Sequence, residues 1–224
     1  MTLNELTAIP FTNRDQNWEN KFFQALSLAN LRLLTADPQT GPDGWPYLMA
    51  ETGVDAKPET TAEPATEPKE PIQKVIQWLA GRGIGLVINP QKEYPDYVFT
   101  YGMLWNFRET GFFFQPLNDS HKEGTVEFTP NQVMNSGEPA AHYLPSYVRT
   151  ILREFFRDQA ILKPRVLVMS TNNIDYDLVF SLESLGTPPE SEHAGIAEAI
   201  GWFLPPHYSI LLISEVGLPS FFDL

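Results

Sequence analysis

The chain has 224 residues, 42% hydrophobic and 12% aromatic, enough to bury a sizeable core as one large domain or two small ones. Its net charge of −13 is spread so that no segment is net basic, which argues against nucleic acid and anionic membrane surfaces as partners. It has no cysteine, hence no disulfide or thiolate chemistry, and no apolar run near the roughly 18–20 residues that span a bilayer.

The N-terminus lacks a basic region followed by an apolar one, so no secretory signal is expected and a cytoplasmic location is. Residues 15–29 predict an amphipathic helix, with Trp18, Phe22, Ala25, Leu26 and Ala29 at helical spacing and Asp15 as its N-cap. From Leu31 the apolar residues alternate, predicting a short strand; Asp37-Pro38 and Gly41–Gly44 form a turn, and Trp45–Glu51 a second strand. Residues 52–71 hold prolines and acids with almost no large apolar side chain, and predict a solvated insertion within an N-terminal domain.

Pro71–Arg82 predicts a helix entered through Pro71 and closed by Gly81, Gly83 and Gly85, followed by a strand over Ile84–Ile88. These glycines follow a helix and precede a strand, the reverse of a phosphate cradle, so a helix stop is expected rather than a nucleotide site. In residues 96–108, Tyr97, Phe99, Tyr101, Met103, Trp105 and Phe107 share one parity. That alternation predicts a heavy aromatic strand bent at Gly102, with Leu104 on the thinner, wetter face. Glu109-Thr110-Gly111 then predicts a hairpin turn, Phe112–Gln115 a return strand and Thr125–Thr129 a further strand.

The polar stretch 131–142 predicts a boundary near residues 136–142, between an N-terminal domain 1–135 and a C-terminal domain 140–224. After it come a helix from Leu144, strands over Arg165–Thr171 and Asp175–Glu183 joined at Asn172-Asn173, a helix over Glu190–Leu204 and a strand over His207–Ser214. An apolar tail, Leu218–Leu224, ends the chain. The fold class expected is α+β: two small α/β-sandwich domains, the second in the order α-β-β-α-β with helices on one face of one sheet.

The segments LPSYVRTILREFF, VLVMS, DLVFSLE, GIAEAIGWFLP, SILLISEV and LPSFFDL together resemble the C-terminal domain of SseB-type proteins, named for a bacterial enhanced-serine-sensitivity phenotype. Members commonly end in a Pro-Phe-Tyr-like motif; here Pro219, Phe221 and Phe222 stand in its place, with Ser220 inserted and no tyrosine. The N-terminal half is similar more loosely, through FFQALSLA, LRLLT and Leu86–Pro90. It lacks the family's phenylalanine-threonine-serine segment, with Phe99–Tyr101 after Asn89-Pro90 the nearest counterpart. The resemblance implies an architecture and a bacterial cytoplasmic setting, and carries over no catalytic residues.

No hydrolase, Walker-type, EF-hand or kinase signature is present. The four histidines are far apart in sequence, so no cofactor or metal is expected. Glu190, Glu192 and His193 fit helix capping, and Asp175 and Asp177 fit a solvated turn. Arg149, Arg153 and Arg157, at i, i+4 and i+8, make one cationic stripe beside the apolar face of their helix, with Lys163 and Arg165 following. Such a stripe fits a solvated helix face, with Glu154 and Asp158 as partial neutralisers, or, in an acidic protein, a site for a carboxylate-bearing partner or for the acidic insertion of the same chain.

The first functional expectation is therefore a non-catalytic protein working through another protein bound at Arg149, Arg153 and Arg157. The alternative is a small-ligand binder or enzyme with a cleft between the domains, lined by Tyr101, Trp105 and Glu109. A third is an acidic chaperone for a secreted or toxic protein, suggested by size and charge.

Overall fold

In the computed structural model, residues 1–52, 69–114 and 135–224 are described. The chain divides into two compact units, Met1–Phe113 and Phe114–Leu224. Each has its own sheet, as the α+β expectation requires. The division falls before the stretch 131–142, and Asn135–Gly137 at that stretch pairs into the second unit's sheet.

The first unit opens with α1 (Leu3–Thr7), closed at its start by a capping box between Thr2 and Glu5. Helix α2 (Gln16–Leu26) begins where Asp15 accepts the Trp18 N–H at 2.8 Å, and buries Trp18, Phe22 and Leu26. Strands β1 (Asn30–Leu33), β2 (Gln39–Thr40), β3 (Pro46–Thr52) and β4 (Lys69–Pro71) follow, then α3 (Ile72–Ala80), β5 (Gly85–Ile88), β6 (Tyr97–Phe99) and α4 (Tyr101–Thr110). The sheet runs β4-β1-β3-β5-β6, with β2 on β3; β3 and β5 are parallel. Gly85 is required by close approach, since a Cβ there would stand 2.5 Å from the Tyr47 ring and 2.7 Å from the Phe99 carbonyl.

The aromatic strand expected over residues 96–108 is corrected. Only Tyr97–Phe99 is strand; Thr100 caps a helix, its hydroxyl accepting the Met103 N–H at 3.4 Å. Tyr101, Leu104, Trp105 and Arg108 are spaced i, i+3, i+4 and i+7, a helical set hidden beneath the alternation of large residues. The first six positions of α4 are all buried, so no wet face exists to expose the period. The expected hairpin is likewise the end of this helix: Gly111 caps it with φ +80° and donates to the Phe107 carbonyl at 2.8 Å. Phe112–Phe114 forms no return strand, and the strand expected over Thr125–Thr129 lies outside the described residues. The end of the predicted insertion, Lys69–Pro71, is strand β4 paired with β1; residues 53–68 lie outside the described residues.

The core of this unit is aromatic. Phe23, Tyr97, Phe99, Phe107 and Phe113 form a chain of ring contacts 4.4 to 4.9 Å apart. A polar network is buried beside it. Asp96 carries no exposed side-chain surface and accepts from Arg14 at 2.6 Å, Lys92 at 2.7 Å and Asn89 at 2.5 Å. Arg14 also donates to the Ile9 and Asp96 carbonyls and lies over the Trp18 ring at 4.4 Å. The N-terminal segment is thereby tied to the β5–β6 connection.

The second unit contains β7 (Asn135–Gly137), α5 (Ser146–Asp158), β8 (Arg165–Ser170), β9 (Asp177–Ser181), α6 (Glu190–Trp202), β10 (Ser209–Ile213) and β11 (Phe222–Asp223). From α5 to β10 this is the expected α-β-β-α-β order. The sheet runs β10-β9-β8-β11, with β7 also on β8; β9 and β10 are parallel. Phe156 of α5 meets Phe180 at 5.9 Å, and Ile210 lies beside Gly201 of α6, so both helices cover the Phe180 and Ile210 face. Leu167, Met169 and Val179 point to the opposite face, where Phe221 and Leu218 of the tail cover them.

Candidate functional site

Helix α5 positions the arginines. Val148, Leu152 and Phe156 recur every fourth residue and are buried, which places Arg149, Arg153 and Arg157 in the adjacent row. The three differ in their surroundings. Arg149 is held on all sides: it donates to the Leu144 carbonyl at 3.1 Å, to Glu138 at 3.3 Å and to the Pro139 carbonyl. Its side chain is only 13% exposed, so it clamps the loop after β7 onto the start of α5.

Arg153 donates to the main-chain oxygen of Leu224 at 2.7 Å and to the Thr150 hydroxyl at 3.3 Å, which fixes the tail against the helix. Arg157 is exposed one turn further on, with no partner among the described residues. Lys163 is exposed as well, whereas Arg165 is paired with Glu215. The stripe thus divides into a buried clamp, a tail anchor and an open cation. The acidic insertion proposed as its partner lies mostly outside the described residues. Its ends are engaged in the first unit, Glu51 with Arg32 and Glu70 with Lys74.

The second expected site is placed differently. Tyr101 and Trp105 are core residues of the first unit, and the Tyr101 hydroxyl donates to the Ala80 carbonyl at 2.8 Å. Burial pushes the Tyr101 phenol well above its ordinary value of 10.0. Glu109 alone of the three is exposed, with Arg108 at 3.6 Å. As packed, Tyr101 and Trp105 present no ring to a ligand.

The remaining candidates sit at a helix start and a turn, but no side chain hydrogen-bonds the N-terminus of α6 as a cap, and Asp175 and Asp177 are both half-buried. His193 contacts the Pro188 carbonyl at 3.1 Å at the start of α6, with Glu190 and Glu192 in the same first turn. Asp175 accepts from Asn172 at 2.8 Å in a turn, while Asp177 begins β9. Among the described residues, no group of three or more histidines and carboxylates is gathered as a metal site would require.

Two open cavities of the second unit escaped the sequence pattern. One, of about 500 Å³, is lined by Glu138, Ser146, Arg149 and Arg153. The other, of about 400 Å³, is lined by Asn135, Glu138, His142, Tyr143, Asn173 and Tyr176. Tyr143 stacks on Tyr208 at 4.5 Å and receives its hydroxyl at the Tyr143 carbonyl, 2.5 Å away. Burial raises both phenols well above 10.0, and at Tyr143 the neighbouring Tyr208 and Asp177 add to the effect. These residues come from four separate loops and strand ends, so no local spacing announces them.

No helix of the described residues is long and apolar enough to cross a membrane. No family model, curated protein or solved structure matches the chain.

Proposed function

We propose that this is an SseB-like, non-catalytic protein of the bacterial cytoplasm whose second unit docks an acidic segment of another protein along α5. The observation that carries this reading is Arg157, an exposed guanidinium with no partner among the described residues, one turn beyond Arg153, in a chain of net charge −13. A planar guanidinium pairs with carboxylates through two parallel hydrogen bonds, and Lys163 adds a second exposed cation near the end of the helix. The α-β-β-α-β order, completed by the terminal strand β11, supports the SseB-like architecture.

Arg149 is not part of the docking surface in this reading, because Glu138, Pro139 and Leu144 already take its donors. The test is therefore Arg157→Glu, not reversal of all three. The wild-type chain and the variant are used as baits in lysate at low and high salt. A protein retained by wild type at low salt, lost at high salt and lost to Arg157→Glu supports the proposal. Equal retention by the variant refutes it.

A second reading rests on the polar cavity around His142, Tyr143 and Tyr176, whose volume of about 400 Å³ falls within the range of small-molecule sites. A metabolite that raises the melting temperature of wild type but not of His142→Ala would favour it over the protein-binding reading.

A further inference from the structure

The cavity of about 400 Å³ in the second unit is lined by two tyrosines whose positions are fixed. The Tyr143 hydroxyl donates to the Tyr176 carbonyl at 3.4 Å, and the Tyr176 hydroxyl donates to the Asn173 carbonyl at 3.3 Å. Tyr208 stacks on one face of Tyr143, with ring centroids 4.5 Å apart. Tyr176 is 44% exposed, so much of its ring is open to a ligand.

The charge around these rings is one-sided. Among the described residues, the lining includes the Glu138 carboxylate and no lysine or arginine. Arg149 meets Glu138 at 3.3 Å, yet 59% of the Glu138 side chain stays exposed. Burial, then Tyr208, then Asp177 raise the Tyr143 phenol, so the Asp177 charge is felt at this wall. Asp177 is half-buried, with no cation paired to it among the described residues. All lysines and arginines of residues 135–224 lie between Arg149 and Arg165, on α5 or just after it. His142, the other ionisable group of the lining, is exposed, and solvent screens any charge it carries. An anion entering here meets like charge, whereas a cation meets aromatic rings and a carboxylate.

Two amides complete the lining. The Asn135 amide donates to the Asn173 side-chain oxygen at 2.7 Å. That leaves the Asn135 side-chain oxygen as an acceptor and the Asn173 amide as a donor, neither with a partner among the described residues. A hydroxyl group donates and accepts, and so uses both.

We propose that this cavity binds a small organic ammonium ion bearing a hydroxyl group, its cationic head against Tyr143, Tyr176 and Glu138 and its hydroxyl between Asn135 and Asn173. The face of an aromatic ring is negative, and it attracts a cation held within about 6 Å of the ring centroid. A metal ion is the poorer fit, because among the described residues no three carboxylates or histidines gather to replace its water. The proposal rests on the small-molecule reading of this cavity and is independent of the α5 cations.

Choline is the probe, and 3,3-dimethyl-1-butanol, its uncharged isostere with carbon in place of nitrogen, is the control. Each is titrated into the full chain while the histidine ring protons are followed by NMR. The His142 signal is assigned by its absence from His142→Ala. Choline is expected to shift His142 saturably, and more than the other three histidines, with the alcohol about tenfold weaker. Tyr176→Phe keeps the ring and should bind choline as wild type does, whereas Tyr176→Leu should weaken choline by about fivefold and leave the alcohol unchanged. Should Tyr176→Leu misfold by circular dichroism, Glu138→Gln decides, again by weakening choline and sparing the alcohol. Equal affinity for choline and the alcohol overturns the cation, as does a His142 response to glucose or inorganic phosphate but not to choline; in both cases the small-molecule reading stands. A folded Tyr176→Leu or Glu138→Gln that binds choline as wild type does also overturns it. Silence of His142 toward all four probes overturns the proposal and counts against that reading as well.

Discussion

Asp96→Asn is the substitution with the most to reveal about the first unit. The carboxylate is wholly buried and Arg14 is only 9% exposed. The neutral amide keeps the shape but leaves the guanidinium without its counter-charge, and one oxygen becomes a donor facing the Asn89 amide and Lys92. Removing one partner of a buried pair costs about 3–5 kcal/mol, chiefly because the other charge remains out of water. Two features temper this: Lys92 is 36% exposed and can turn to solvent, and Arg14 keeps the Ile9 and Asp96 carbonyls. The expected loss is therefore about 3 kcal/mol, a large share of the roughly 5–15 kcal/mol of a typical domain.

The assay is urea unfolding followed by tryptophan fluorescence, to which Trp18 contributes directly because Arg14 lies on its ring. Arg14→Met in the same background distinguishes causes. With the stranded cation gone, Asp96→Asn should cost less than in wild type, a coupling of about 1–3 kcal/mol. A loss below about 1 kcal/mol for Asp96→Asn, or strict additivity with Arg14→Met, would refute the buried-pair account.

Leu104 discriminates between helix and strand over residues 101–110. It is completely buried in α4, so Leu104→Ala should cost about 2–5 kcal/mol, whereas the solvent face of a strand would tolerate it. Alkaline stability follows from the raised phenols of Tyr97, Tyr101, Tyr143 and Tyr208. At Tyr97 burial is the main cause, with the hydrogen bond to Glu19 and its charge adding to it. A folded value above the unfolded 10.0 gives stability that is complete below pH 10 and lost as pH rises beyond it. Phenolate absorbance from these four should therefore appear together with unfolding; their ionisation in a still-folded chain would contradict the burial.

The amphipathic helices were legible because one face of each stays wet. Trp18, Phe22 and Leu26 in α2, and Val148, Leu152 and Phe156 in α5, repeat at helical spacing against polar neighbours. Short strands bounded by turn residues, such as Gly85–Ile88 and Arg165–Ser170, were legible for the same local reason. So were the cap at Asp15 and the helix stop at Gly81. Each of these features is decided by residues within one or two turns of itself.

Tertiary structure decided the rest. The segment 96–108 carries two periods at once, and burial from several sides lets α4 form where alternation suggested a strand. The arginine row was visible in the sequence, but its division was not. Glu138 and Leu224 lie 11 and 71 residues away from the arginines they hold, and only folding brings them near. The edge position of β10 has the same origin: Ser209–Ile213 reads as an ordinary strand, and which of its sides has no neighbour among the described residues depends on the order in which distant strands assemble. Local chemistry chose the elements; the closure of long loops chose which charges are paired inside the fold and which stay exposed.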